Sequence, residues 1–393
     1  MQHRAILSLE TGEHFFGYVH GPGGEVGGEV VFNTSMTGYQ EITTDPSYRG
    51  QIVVLAYPLI NNYGANRHDP ESRRPWLAGL VVREHAERAS NWRNQQPLSD
   101  FLSEFGIPVL SGIDTRRLVR ILRSGGVRKG LLSRVEDDVA DCDRFAWITG
   151  RAVLPDGFLN GLQKRAAAVP ALSAQHLIEE VTYGRRYEFE SGPWDPWPAP
   201  EARPSRPRIA LLDTGAKSNI ARSLAVRGCR VSVLPYGVSA ADVDALRPDG
   251  VVLANGPGDP EAAVRAVETA GALIERYPLM GICLGHQVLG LAIGAKTSRL
   301  KFGHRGSNHP VKELASGRVC ITAQNHGFQV EAESIPESSG FTVSHLNLND
   351  GSVEGLAHRD LPVFSVQYHP EAAPGPQDNQ HLFDRFLDLV ESR

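Results

Sequence analysis

Two hydrophobic rhythms divide the chain. In the first half RAILSLETG, HFFGYVHG and GGEVVFNT are short apolar runs separated by glycine-rich or polar turns, a pattern that predicts strands. DTRRLVRILRSGG repeats its apolar residues at helical spacing and stops at Gly125 and Gly126, which predicts a helix. From about Asp137 to Val169 neither period holds for long. An α+β first half with much irregular chain follows from this reading.

The rhythm changes after SGPWDPWPAPEARPSRPR, where six prolines between Ser191 and Arg208 break any helix and remove donors a sheet would need. Beyond that seam strands and helices alternate: PRIALLDTG then AKSNIARSLAVRGC, RVSVLPYG then SAADVDALRP with Ser239 as N-cap, DGVVLANGPG then PEAAVRAVETAGALIERY, PLMGIC then HQVLGLAIGA. Such alternation predicts α/β architecture, a parallel sheet covered by helices on both faces. From about Lys301 to His369 the chain turns β-like, with GRVCITAQNHG, GFTVSHLNL and LPVFSVQYH as strands. NQHLFDRFLDLVESR then closes it as a helix with Leu382, Phe383, Phe386 and Leu389 on one face. The expected division is a domain over residues 1–190, a linker over 191–207 and a second domain over 208–393, with no internal repeat.

Composition narrows the function classes. The 393 residues suit two domains, and 41% hydrophobic with 22% charged residues is ordinary for a globular protein. A formal net charge of -5 gives no electrostatic reason for a nucleic-acid or anionic-membrane partner. The N-terminal residues lack a signal-peptide pattern and no apolar run matches a bilayer span, so a cytoplasmic location is expected. Cys142, Cys229, Cys283 and Cys320 are scattered without a CxxC, which suggests neither a disulfide framework nor a thiolate zinc site.

Candidate chemistry centres on GICLGHQ, Gly281 to Gln287. Ligands of an open α/β sheet sit beyond the carboxyl ends of its strands, where PLMGIC delivers Cys283. Gly281-x-Cys283-x-Gly285 has the form of a nucleophile elbow, and the helix N-terminus behind it favours a thiolate. The competing reading is a buried cysteine acting as a small hydrophobe. His369 ends the strand VFSVQY before Pro370 and Glu371, so base and orienting carboxylate leave the strand together. The amide of Leu284 and the glycine amide of Gly256, in NGPGDP, are candidate oxyanion donors. His286 is read as structural. His304, His309 and His326 lack a recognisable ligand spacing, so no metal is expected.

Together NGPGDP, GICLGHQ, QNHGF and HPEA resemble a class I glutamine amidotransferase domain. VVFNTSMTGYQEITTDPSY, YPLINNYG, GLVVRE, SNWR, GIDTRRLVRILR, KFGHRGSNHPV and AAPGPQD extend the resemblance, over most of the chain, to the small glutaminase subunits of carbamoyl-phosphate synthase. The resemblance implies a flavodoxin-like C-terminal domain that hydrolyses glutamine through Cys283, His369 and Glu371 and passes ammonia to a large subunit. That partner would use ATP, bicarbonate and a divalent metal to make carbamoyl phosphate for arginine and pyrimidine synthesis; this chain has no GxxxxGK[ST] loop and needs no cofactor of its own. Ser47, Gly258, Leu284, Gln287, Asn325, Gly327 and Phe328 match the family's glutamine-binding positions, with Gly256 beside them. Lys217 in TGAKSNI is left between a wall of the ammonia route and a surface lysine. The arginines of TRRLVRILRSGGVRKG suit either an acidic partner face or solvent.

The sequence departs from the family pattern at Asn61, where YPLINNYG would carry glycine, and in PALSAQHLIEEVTY, which lacks a glycine and aspartate. Asparagine tolerates left-handed dihedrals, so the turn at Asn61 is expected to survive. Three rivals remain: a glutaminase component of another amidotransferase, a non-catalytic glutamine-binding regulatory subunit, and an independent γ-glutamyl hydrolase.

Overall fold

The computed structural model describes residues 3–22, 24–136, 139, 142–190 and 202–392. The chain forms two compact units, Met1–Gln175 and His176–Arg393.

The first unit runs β1 (His3–Leu9), β2 (His14–His20), β3 (Glu25–Asn33), α1 (Tyr39–Thr44), β4 (Gln51–Leu55), β5 (Leu59–Ile60), β6 (Gly79–Val81), β7 (Glu84–His85), α2 (Leu98–Ser103), β8 (Val109–Ser111), α3 (Thr115–Gly125), β9 (Arg128–Arg134), α4 (Arg144–Ile148) and α5 (Phe158–Ala167). Its larger sheet closes into a barrel in the order β1-β2-β8-β6-β4-β3-β9. Gly130 lets β9 pass close to β3, since a Cβ there would lie 2.4 Å from Val30 Cγ2. The predicted helix over DTRRLVRILRSGG is α3, started by the Asp114 carboxylate accepting from the Arg117 amide. Asn61 does take a left-handed φ of 67°. Its side chain accepts from the Leu98 amide at 2.7 Å and donates to the Ala86 carbonyl at 2.8 Å, bonds that glycine has no atoms to make.

The unreadable stretch before Val169 contains α4 and α5. They are short, and α5 buries only Leu162 and Ala166, too narrow a stripe to register as a period. Together with Trp147, whose Nε1 donates to the Gly17 carbonyl at 2.8 Å, they cover Ile6 and Leu131 on the outside of the barrel.

The second unit runs α6 (Leu177–Val181), β10 (Tyr187–Glu188), β11 (Arg208–Asp213), α7 (Ser218–Ala225), β12 (Arg230–Pro235), α8 (Ala240–Ala245), β13 (Gly250–Leu253), α9 (Val264–Leu273), β14 (Leu279–Ile282), α10 (Leu284–Ala292), β15 (Thr297–Glu313), β16 (Val319–Val330), β17 (Phe341–Asn347), β18 (Val353–His358), β19 (Val363–Val366) and α11 (His381–Glu391). One ten-stranded sheet has the order β10-β12-β11-β13-β14-β19-β18-β17-β15-β16. Its segment β12-β11-β13-β14-β19 is parallel. Counted from β11, that is the flavodoxin-like order 2-1-3-4-5, with the order reversing between β11 and β13. One face buries Ala266, Ala270 and Leu273 of α9 with Val288 and Leu289 of α10; the other buries Ile220 and Leu224 of α7 with Leu382, Phe383 and Phe386 of α11. Ser239 caps α8 and forms a reciprocal capping box with Asp242.

The boundary between units differs from the expected one after residue 190. Tyr187–Glu188 pairs antiparallel with β12, and the Thr182 hydroxyl donates to the Asp213 carbonyl at 2.8 Å while accepting from the Tyr236 amide at 2.9 Å. These bonds tie residues 176–190 to the second unit. The proline-rich seam lies mostly outside the described residues. Among the described residues no helix is long and apolar enough to cross a membrane.

Candidate active site

At the carboxyl ends of the parallel strands, β14 ends at Ile282 and α10 begins at Leu284, leaving Cys283 alone at the turn. Its φ of 55° and ψ of -105° are strained for a residue with a Cβ. Two glycines make the turn feasible. A Cβ on Gly281 would meet the Gly285 carbonyl oxygen at 2.7 Å, and one on Gly285 would meet the Leu253 carbonyl oxygen at 2.2 Å. The Cys283 amide is fixed by the Val366 carbonyl at 2.9 Å. Its Sγ is buried and donates to the Asn325 carbonyl at 3.6 Å.

His369 follows β19 and is held to β16 by its amide, which donates to the Ala323 carbonyl at 2.9 Å. The imidazole Nδ1 donates to Glu371 Oε1 at 2.6 Å. Nε2 is buried with no hydrogen bond of good geometry, yet Cys283 is close enough to favour the charged ring. Burial opposes that charge, but Glu371 and Cys283 outweigh burial and Lys217 together and push the His369 pKa up to about 10. Burial likewise opposes a charged Glu371, and Lys217 and then His369 overcome it, holding its carboxyl at about 2.

Lys217 is no surface lysine: it is 2% exposed. It stands between β11 and α7, where its amide donates to Asn255 Oδ1 at 3.0 Å. Its Nζ lies 3.0 Å from Glu371 Oε1, the same oxygen that accepts from His369, and also donates to the Ala372 carbonyl. Asn219 Nδ2 donates to the Glu371 carbonyl at 2.9 Å. Both contacts steady a loop in which Ala372 and Ala373 have φ of 57° and 53°. Sequence reading missed this support for Glu371; the available signal was a lysine in the turn between a strand and a helix, at the same sheet edge as Cys283.

Gly256 lies against the elbow, for a Cβ there would be 2.8 Å from Leu284 Cδ2 and 2.2 Å from the Thr214 carbonyl oxygen. The Leu284 amide is the first of α10 and has no intrahelical acceptor, as at every helix start. Gly258 has φ of 94° in the same loop. Gln287 Nε2 donates to the Phe328 carbonyl at 2.9 Å and to Gln367 Oε1 at 3.0 Å, joining α10 to β16, the strand of Asn325, Gly327 and Phe328. His286 points away to Ser365 Oγ at 2.9 Å, and burial together with His345 pushes its pKa down to about 3. Ser47 belongs to the first unit, in the short turn Pro46–Tyr48, where its amide donates to Asp45 Oδ1 at 2.9 Å.

Comparison with known proteins finds relatives along the whole chain. The family described as glutamine amidotransferase class-I matches residues 210–389, and the carbamoyl-phosphate synthase small chain, CPSase domain, matches residues 7–132. The chain is 48% identical to the carbamoyl phosphate synthase small chain of Syntrophotalea carbinolica, over 99% of this chain and 98% of the relative. Identity to that of Symbiobacterium thermophilum is 49% over 98% of each chain, and to that of Aquifex aeolicus 45% over 100% of each.

Proposed function

The chain belongs to the carbamoyl-phosphate synthase small-chain family, and from that membership we propose that it hydrolyses L-glutamine through Cys283, His369 and Glu371 and delivers the ammonia to a large synthetase subunit. The observation that carries the proposal is the meeting, at one sheet edge, of a strained cysteine with a buried imidazole already bonded to a carboxylate.

The chemistry follows from these groups. At neutral pH His369, its pKa raised to about 10, already holds the proton given up by Cys283 as an imidazolium beside the thiolate, and Sγ attacks the glutamine carboxamide carbon. The amides of Leu284 and Gly256 receive the developing oxyanion. Glu371 and Lys217 keep the imidazolium oriented, and it returns its proton to the departing nitrogen, which leaves as ammonia. A thioester between glutamate and Cys283 remains. Water attacks it, giving its proton to His369; glutamate departs and the sulfur recovers a proton. Gly258, Gln287, Asn325, Gly327 and Phe328 frame the glutamine. ATP and its metal ion act on the large subunit, and the assembly works in the cytoplasm.

The test is reconstitution with a carbamoyl-phosphate synthase large subunit. Cys283→Ser is expected to abolish carbamoyl phosphate formation from glutamine while formation from ammonium chloride persists. Loss of both would show the cysteine to be structural. Undiminished glutamine use would remove it from catalysis.

A further inference from the structure

The second unit contains another cluster of ligating groups, away from the elbow in sequence but brought together by sheet register. His304 on β15 pairs directly with His326 on β16, and Glu354 enters from β18. All three are buried, and one ligand atom of each lies within 4.8 Å of the others. Irregular spacing along the chain conceals the cluster, because only register brings the three side chains together.

Second partners orient both imidazoles. His326 Nδ1 donates to the Phe328 carbonyl at 2.7 Å, which leaves Nε2 as a bare lone pair; that atom is buried and has no hydrogen-bond partner. His304 Nε2 donates to Asp350 Oδ2 at 2.8 Å, and its Nδ1 faces Glu354 Oε1 at 3.5 Å. Asn347 Nδ2 donates to Glu354 Oε1 at 2.8 Å and approaches His304 Nδ1 at 3.4 Å; Gln324 Nε2 donates to Glu354 Oε2 at 2.9 Å. A carboxylate or carbonyl fixing one ring nitrogen while the other stays available is the usual outer support of a metal-bound histidine. His309 lies alongside, its ring 5.1 Å from that of His304 and its buried Nδ1 also without a partner.

We propose that His304, His326 and Glu354 bind a divalent first-row ion of the zinc type, with Asp350 and the Phe328 carbonyl orienting the two imidazoles. Two nitrogens and one carboxylate oxygen suit zinc, with water completing a tetrahedron. Bonds of about 2.0–2.2 Å require the side chains to close in by roughly an ångström. The Asp350 side chain, 42% exposed, marks the entry side. The ion would brace β16 two residues before Phe328.

The experiment uses the full chain carrying Cys283→Ser, so that the elbow thiol cannot compete. After removal of adventitious metal it is titrated with Co2+, and Zn2+ is measured by elemental analysis after dialysis. One ion per chain is expected, with the visible absorption of a tetrahedral site. Affinity should fall at least tenfold in His326→Ala and Glu354→Gln and stay unchanged in His369→Asn. If Glu354→Gln loses its near-ultraviolet dichroism, His326→Ala decides, read as loss of the Zn2+-dependent rise in Tm. Absence of a stoichiometric ion, or binding that His326→Ala leaves intact, would overturn the proposal in favour of a buried proton-bridged cluster.

Discussion

Lys217 is the residue whose removal should be felt furthest. With its side chain 3% exposed and that of Glu371 fully buried, Lys217→Met leaves a carboxylate in low dielectric without its strongest opposing charge. Breaking such a pair costs about 3–5 kcal/mol, which denaturant unfolding of the variant should show. Glutaminase turnover should fall by at least about tenfold, since Glu371 can no longer hold a fixed position. Lys217 also opposes the imidazolium, so its loss raises the His369 pKa and moves the corresponding limb of the pH–rate profile to higher pH.

Wild-type stability carries the same signature. His369 is raised from 6.5 to about 10, so its contribution is complete below pH 6.5 and is lost as pH rises through the folded value. Glu371 is depressed from 4.5 to about 2, so its contribution is present above pH 4.5 and disappears as pH falls toward the folded value. Urea midpoints of wild type should decline from pH 6.5 to 10, and His369→Asn should flatten that decline. The strained turn at Cys283 and the His369–Glu371 bond were legible in the sequence because an elbow and a strand-end HPE are local patterns. Lys217 was not, because burial of a charge is a property of the assembled fold.

At the scale of elements, the glycines differ in what they permit. Gly285→Ala would drive a Cβ into the Leu253 carbonyl oxygen, 2.2 Å away, so β13 and α10 must separate. An overpacking cost of about 1–3 kcal/mol is expected, together with loss of glutaminase activity as the elbow shifts. At Gly161, inside α5, an added methyl would meet no atom within 4 Å, so Gly161→Ala should stabilise the chain by about 0.4–1 kcal/mol. Thermal unfolding of the two variants should move in opposite directions. The alternating elements of the second unit were readable because both faces of β11, β13 and β14 are buried, giving continuous apolar runs between amphipathic helices. α4 and α5 were not, since short helices laid on a barrel need only a few apolar contacts.

For the whole molecule, the sequence located the seam by its prolines, whereas the structure divides the units at Gln175 and His176. Ile178 and Val181 are buried, and Ile178 joins the core of the second unit. At about 1.5–3 kcal/mol per buried aliphatic side chain, a fragment of residues 191–393 should be at least about 3 kcal/mol less stable than one of residues 176–393. Chemical unfolding of the two fragments checks this. Equal stability would return the boundary to the proline-rich segment.

The two-residue strand β10 carries a consequence beyond energy. It occupies the outer side of β12, with the Phe189 amide also donating to the Val231 carbonyl at 2.8 Å. Stripping it away would leave a row of backbone donors and acceptors ready to template strands from other molecules. A truncation at the proline-rich segment should therefore yield soluble oligomers or precipitate, making β10 a guard against aggregation as well as a margin of the sheet.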